Sequence, residues 1–582
     1  MILKALYDYY NRLNALDGSL APVGFKEQEI PFLIVIDKDG NFLRIEDRRI
    51  DKKNSQKFLV VAGSHSTAIE PYLMYDNMEY VFGQPKDNNK NTIEKAPKRF
   101  KSFVDKCKEL HSKYPNCKDF YAVCQFYEKG EYEKVAHDPL WTELINKAGA
   151  IISFIINGKT EIVASAKEFE EEVKLQEKQS IDADVRLPIC LITGEPSEIV
   201  EITTATMIKG SQAKAKLVSF QTNSGYDSYG KSQGSNAPIS KKAESAYTTA
   251  LLRLLGKQSQ NKFDIGNRTF IFWASSNDEV SKSVERSVYQ LFGFIDEKED
   301  DPNRRIEMVK KTFESIYNGL TPCSTDDKFY ILGMAPNKAR IAVVYWNETT
   351  IYEFAAMILK HFHDMEIVDG RKEKKPYYGL MNMMSTATLG GKASDIQPNL
   401  PEATMKSILQ GLPYPYALYS AVIRRIRAEQ SEGMPITRMA IIKAYLNRIN
   451  DNNNKKLEIM LDKQNTNLGY VCGRLFAVLE YSQKRANDIT TIRERYMNSA
   501  SATPAAVFST LLNLNVHHVE KLENAGAKIY IENMKQEIVD LLPADGFPAH
   551  LDLQDQGRFF VGYYHQMQEL FTKKDKETKN NN

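Results

Sequence analysis

The stretch Ile30-Pro-Phe-Leu-Ile-Val-Ile36, followed by Asp37-Lys-Asp-Gly40 and then Phe42-Leu-Arg-Ile45, decides the character of the amino-terminal half. A β-branched and aromatic run, a turn on Asp39-Gly40 and a second apolar run predict a β-hairpin. Upstream, Leu3, Leu6, Tyr10 and Leu13 stand at helical spacing over residues 1–15, and Pro22 and Gly24 end that unit. Downstream, strand signals return at Phe58 to Ala62 and at Ala150 to Ile156, while the Lys- and Asn-rich stretch Pro85 to Lys95 reads as a loop. Residues 98–127 read as helical. So does Ala166 to Lys178, where Glu and Lys dominate and turn residues are absent. No regular βαβ alternation appears, so this half is expected to mix helices with antiparallel hairpins.

Residues 190–240 are rich in Gly, Ser, Thr, Asn and Lys. A helix is predicted over Ala243 to Leu255, and strands at Thr269 to Trp273, Phe329 to Met334 and Ile341 to Tyr345. The last two strands are expected to be joined by a wide loop, Pro336-Asn-Lys-Ala-Arg340. From Asn399 the pattern is helical: Leu418, Val422 and Ile426 share one face, and Leu468, Val471, Cys472, Leu475 and Leu479 another. Asn452-Asn-Asn-Lys455 reads as an interhelix loop, and the polar tail from Lys573 to Asn582 as disordered. The expected fold class is therefore α+β. A mixed α/β region would span residues 1–400, with a candidate subdivision near 185, and an all-α helical bundle would span 401–582.

A chain of 582 residues exceeds one hydrophobic core, and roughly 150 residues per domain gives about three or four modules. Hydrophobic content of 42% beside 26% charged residues is that of a soluble globular protein. Six cysteines with no CxxC pair argue against a zinc ribbon and predict reduced thiols. The amino terminus lacks the apolar core of a signal peptide, and no run of 18 apolar residues occurs. A cytoplasmic protein without membrane contact, metal or cofactor is expected.

The net charge of +2 excludes a basic coat protein and directs attention to local concentrations. Between Ile202 and Lys242, six lysines (Lys209, Lys214, Lys216, Lys231, Lys241 and Lys242) face a single acid, Asp227, giving +5. Glycines at 210, 225, 230 and 234 allow close backbone approach, and Asn223, Gln233 and Asn236 suit base edges. Tyr226 and Tyr229, on either side of Ser228, suit stacking or wedging at a base step. A solvated lysine loop has the same composition, so the residues alone leave both readings open. A second concentration comprises Arg424, Arg425 and Arg427, with Arg438, Lys443 and Arg448 beyond. Arg424 and Arg427 are expected to point away from the apolar face, towards phosphates, and Arg474 and Arg485 to project from nearly one side of their helix. Salt bridging within the bundle is the competing reading. In Pro71-Tyr-Leu-Met-Tyr-Asp-Asn77, Tyr72 and Asn77 are further candidates for a groove, against a core and turn reading.

Three groups of residues carry a resemblance to a known family. The first is Met1-Ile-Leu-Lys-Ala-Leu-Tyr-Asp-Tyr-Tyr10 with Ala21-Pro-Val-Gly-Phe25 and the Pro31–Gly40 strand and turn. The second is Cys190-Leu-Ile-Thr-Gly-Glu195, Ile208-Lys-Gly210, Leu217-Val-Ser-Phe220, Ser228-Tyr-Gly230, Asn236-Ala-Pro238 and Tyr247-Thr-Thr-Ala-Leu251. The third is Gly473-Arg-Leu-Phe-Ala-Val-Leu-Glu480, Ser499-Ala-Ser-Ala-Thr-Pro504 and Gln556-Gly-Arg-Phe-Phe-Val-Gly-Tyr-Tyr-His-Gln566. In this order they resemble the large subunit of type I-C CRISPR Cascade surveillance complexes. One departure is that Gln221 directly follows Phe220, with Asn223 later.

The resemblance implies a non-catalytic subunit of a crRNA-guided antiviral complex, with sequence recognition delegated to guide pairing. It would recognise the protospacer-adjacent motif on duplex DNA, promote unwinding and R-loop formation, and stabilise the displaced strand along its small-subunit-like carboxy-terminal helices. The implied partners are crRNA, target DNA, the backbone, crRNA-processing and small subunits, and a recruited helicase-nuclease. An internal start yielding a separate small subunit is also implied, with Met460 a candidate.

Rival functions have weaker support in the residues. A metal-dependent nuclease would look to His361-Phe-His-Asp364, but on a helix His361 and His363 lie about 200° apart and do not share a metal. Leu389-Gly-Gly-Lys-Ala-Ser394 lacks the first Gly and the Ser/Thr of a P-loop, having Thr386 and Ala393 there. Cys190 has no nameable base and reads as a buried thiol. A purely protein-binding scaffold is the remaining alternative.

Overall fold

The structure, a computed structural model, describes residues 2–17, 20–51, 54–63, 69–147, 149–179, 187–221, 225, 227, 229–292, 302–371, 379–429, 434–450, 456–488 and 491–580. It divides into two compact units, one of Met1–Thr206 with Lys216–Arg253, the other of Met207–Ala215 with Leu254–Asn582.

The first unit contains strands β1 (Phe25–Glu29), β2 (Phe32–Ile36), β3 (Phe42–Asp47), β4 (Lys57–Val61), β5 (Tyr75–Asn77) and β6 (Ile151–Ile156). Its helices are α1 (Ile2–Asp17), α2 (Met78–Val81), α3 (Lys90–Lys113), α4 (Lys118–Glu128), α5 (Trp141–Asn146), α6 (Glu168–Gln179) and α7 (Lys241–Leu254). The β2–β3 hairpin forms as expected. The Asp37 carboxylate accepts the N–H groups of Asp39 and Asn41 at 2.9 Å each. Gly40 has φ +83°, and a Cβ there would lie 2.5 Å from the carbonyl oxygen of Ala122 in α4. Both backbone conformation and helix approach therefore require glycine.

The sheet order is β3-β2-β6-β5, and β2 runs parallel to β6, Phe32 opposite Ile152 through Ile36 opposite Ile156. The hairpin reading did not anticipate this parallel pair. Its physical basis is visible in β2, which is apolar and buried at all five positions, as suits a strand covered on both faces. Phe103, Cys107 and Leu110 of α3 and Phe120, Val123 and Phe126 of α4 join it in one core. The single helical stretch expected over 98–127 is two helices, interrupted around Pro115, whose ring cannot continue a helix. Helix α3 also begins earlier than expected, inside the stretch read as a loop, where the Asn89 side chain accepts from the Asn91 N–H.

The second unit opens with β7 (Lys262–Ile265), β8 (Arg268–Ala274), β9 (Lys328–Asn337) and β10 (Arg340–Thr350), an antiparallel sheet in the order β10-β9-β8-β7. The β9–β10 connection is tighter than expected. Arg340 pairs with Asn337, leaving only Lys338 and Ala339, with Lys338 at φ +52°. Pro336 belongs to the strand: pairing with β8 ends at Met334, so no donor is needed from Pro336 on that edge.

Helices α8 (Glu279–Phe292), α9 (Pro302–Tyr317) and α10 (Ile351–Met365) share a core with this sheet through Val288, Phe313 and Phe354 against Phe272 and Phe329. The remainder is helical: α11 (Leu380–Thr386), α12 (Leu400–Gln410), α13 (Tyr416–Ala428), α14 (Ile436–Ile449), α15 (Leu468–Asn487), α16 (Thr491–Ala502), α17 (Pro504–Glu520), α18 (Ala525–Val539) and α19 (Leu553–Asn580). Helix α15 is the axis of this array, with every residue from Gly469 to Gln483 buried. Helix α19 continues to Asn580, through most of the tail expected to be disordered; its Lys, Glu and Asp residues, free of Gly and Pro, favour continuation. The α+β class and the helical carboxy-terminal half are thus as the sequence indicates. Among the described residues, no helix is long and apolar enough to cross a membrane.

Candidate nucleic-acid interface

The segment after α6 is held by few regular hydrogen bonds. Isolated bridges join Ile189 to Pro196 and Ile199 to Ser240. Cys190 is fully buried between them, and its Sγ accepts the Ser240 N–H at 3.2 Å. Burial pushes this thiol up, but hydrogen bonds from Ser240 and Thr193 outweigh that effect and hold it at about 7. The Cys190 block is therefore a structural clasp at the base of the basic segment.

Above the clasp, a cleft of about 120 Å³ is lined by Val200, Lys216, Phe220, Gln233 and Ala237, among others. Its floor is tight: a Cβ on Gly234 would lie 2.0 Å from the Val200 carbonyl oxygen. Beside it the chain turns sharply, with positive φ at Tyr229 (+52°), Gly230 (+71°) and Gln233 (+43°). Tyr229 is 99% exposed, and Lys231 is exposed next to it. A large aromatic side chain is thereby held in solvent by a backbone conformation that L residues avoid. Asn236, half-buried, donates to the Gln233 carbonyl at 3.1 Å and to Asp227 at 3.4 Å, so it braces the loop. Asn223, Tyr226 and Ser228 lie outside the described residues. Lys209 and Lys214 are exposed and belong to the second compact unit, within residues 207–215.

The candidate groove residues near β5 have structural duties. Tyr72 stacks on Tyr75 with ring centroids 4.9 Å apart, and the Tyr75 hydroxyl donates to the Val61 carbonyl at 2.7 Å. Lys26 lies 4.8 Å from the Tyr72 ring. The Asn77 side chain accepts the Glu79 N–H as the cap of α2.

The arginines of the helical array sort by burial. Arg424 and Arg427 are exposed on α13, and Arg427 contacts Gln556 at 3.4 Å. Arg425 and Arg438 instead bridge to Glu429, and Arg448 pairs with Asp364 at 2.7 Å. Lys443 is buried and donates to the Asp364 carbonyl at 3.1 Å. Arg474 and Arg485 do not behave alike, contrary to their common helical phase. Arg474 is 2% exposed and donates to Gln566 and to the Lys463 carbonyl, each at 3.1 Å. Burial removes it from any phosphate; it sits in the enclosed part of α15, whereas Arg485 emerges at the exposed end over the Tyr481 ring.

The His361 run is helical, within α10. His361 is buried with its Nδ1 2.8 Å from the Tyr414 hydroxyl, while His363 is exposed. Asp364 is occupied by Arg448. Among the described residues, no group of three His, Cys, Asp or Glu side chains is placed to hold a metal ion.

Two of the carboxy-terminal stretches that carry the resemblance, Gly473–Glu480 and Gln556–Gln566, lie on the two helices of one crossing. Gly473 in α15 and Gly562 in α19 each lie against the partner helix's backbone, where a Cβ would come within 2.0 Å of the Phe559 oxygen and 2.3 Å of the Tyr470 oxygen. Residues 6–571 match the family of CRISPR-associated protein Csd1. The chain belongs to this family, that of the type I-C CRISPR large subunit. No curated protein matches it.

Proposed function

We propose that this chain is the non-catalytic large subunit of a type I-C Cascade, recognising the protospacer-adjacent motif on duplex DNA and promoting R-loop formation. The observation that carries this reading is Tyr229, 99% exposed where Tyr229 and Gly230 both have positive φ, within the stretch 6–571 that matches the family. An exposed ring beside a lysine suits insertion at a base step while the cation meets a phosphate. Exposed Arg424, Arg427 and Arg485 on the helical array would neutralise phosphates of the displaced strand. The target sequence itself would be read by crRNA pairing, and cleavage would fall to a recruited helicase-nuclease. Such a complex works in the cytoplasm, on invading DNA.

The test uses the complete complex, with crRNA and a duplex carrying a fluorescent base at the first unwound position. Tyr229→Ala should abolish most of the unwinding signal and narrow the preference for motif over scrambled duplex. Equal unwinding by the variant would overturn the assignment of Tyr229. Incubation with magnesium or manganese should leave the duplex intact; metal-dependent cutting by the purified chain would overturn the non-catalytic reading.

A further inference from the structure

Helix α3 carries five exposed cations, Lys90, Lys95, Lys98, Lys101 and Lys108, that make no ion pair among the described residues. Its arginine and remaining lysines do pair: Arg99 with Glu79 at 2.8 Å, Lys106 with Glu109 at 2.7 Å and Lys113 with Glu172 at 2.5 Å. At 3.6 residues per turn, Lys90, Lys98, Lys101 and Lys108 fall within an arc of about 80° and run for about 27 Å along the axis. Glu94 and Asp105 lie on the same arc and leave it net positive.

Helix stability does not explain this arrangement. The first turn of α3 holds no acid, and Lys90 stands at its amino end, where the helix dipole disfavours a cation. The helix is nevertheless firmly seated, with Phe103, Cys107 and Leu110 buried in the core and Arg99 tied to Glu79. An anchored helix face that stays net positive, with its lysines outside ion pairs, matches an extended polyanion. Duplex DNA presents one negative charge per about 1.7 Å of axis. Single-strand tracks pair cations with aromatic platforms for stacking. The aromatic residues of α3, Phe100 and Phe103, are instead turned inward, half-buried and buried.

We infer that α3 is a second DNA-contacting surface, which grips the sugar–phosphate backbone of duplex DNA without reading its sequence. This rests on the DNA-binding role proposed above but assigns it to a helix outside the 202–242 segment. The complete complex, with Lys90→Gln, Lys98→Gln, Lys101→Gln and Lys108→Gln combined, is titrated with motif and scrambled duplexes between 50 and 200 mM salt. The slope of log affinity against log salt should become shallower by about 3–4, near 0.9 for each phosphate no longer neutralised. Affinity should fall by the same factor for both duplexes, with the thermal midpoint unchanged. An unchanged salt slope in a complex that binds duplex DNA overturns this inference alone. A loss confined to crRNA binding overturns it too. Failure of the unsubstituted complex to bind duplex DNA overturns both this inference and the function it rests on.

Discussion

The backbones of Gly473 in α15 and Phe559 in α19 touch, so that a Cβ on Gly473 would lie 2.0 Å from the Phe559 carbonyl oxygen. No side-chain rotation relieves such a clash, because the obstructing atom belongs to a helix. Gly473→Ala should therefore destabilise the second unit by about 3 kcal/mol or more, at the upper end of overpacking costs. A drop in the thermal midpoint clearly larger than that of Gly546→Ala would show this; Gly546 has nothing within 4 Å of its Cβ position, so its positive φ is the only penalty there, about 1 kcal/mol.

Arg474 and Arg485 should separate cleanly in mutagenesis. Arg474→Ala strands the buried Gln566 oxygen and removes the bond to the Lys463 carbonyl, at a cost of about 1–3 kcal/mol. Its folded fraction should bind DNA as the parent does. Arg485→Ala should leave the thermal midpoint in place and weaken retention of the displaced strand, read by nuclease protection of that strand. A stable, DNA-deficient Arg474→Ala protein would contradict the packing role.

These two arginines also mark where the sequence stops being informative. Residues eleven apart share a helical phase, but phase does not say how much of the helix is enclosed. That depends on α17, α18 and α19, which pack along α15. The β2–β3 hairpin is legible because Asp37, Gly40 and the flanking apolar runs are local. The parallel pairing of β2 with β6 joins Phe32 to Ile152, and no local signal specifies it. The same contrast governs the candidate site. The lysine-rich composition of the 202–242 segment is plain in sequence, whereas the left-handed turn that exposes Tyr229 is not. The α3 lysines are obscured by the loop-like composition of Pro85 to Lys95, although their helical spacing runs from Lys90 onward.

Tyr229 allows a prediction in which stability and function move apart. Its positive φ carries a cost of about 1 kcal/mol that glycine does not incur. Tyr229→Gly should thus leave the thermal midpoint unchanged or slightly raised, while unwinding falls by roughly tenfold, the effect of removing one base–aromatic stack. A turn residue without function would give the same stability and undiminished unwinding.

His565 should make the second unit acid-sensitive. Its ring is buried on α19, where the Tyr470 hydroxyl meets Nδ1 at 2.9 Å and the hydroxyl itself accepts the Asp462 N–H. Burial lowers its pKa from 6.5 to about 3, with the Lys443 charge adding to the shift. The folded ring stays neutral where the unfolded ring gains a proton. This contribution is thus complete above pH 6.5 and declines as pH falls towards 3, by up to about 1.4 kcal/mol per pH unit. His565→Asn keeps an acceptor for Tyr470 and removes the titration. Urea midpoints at pH 7 and pH 4.5 should differ more in the parent than in the variant, and equal differences would assign the acid sensitivity to other groups.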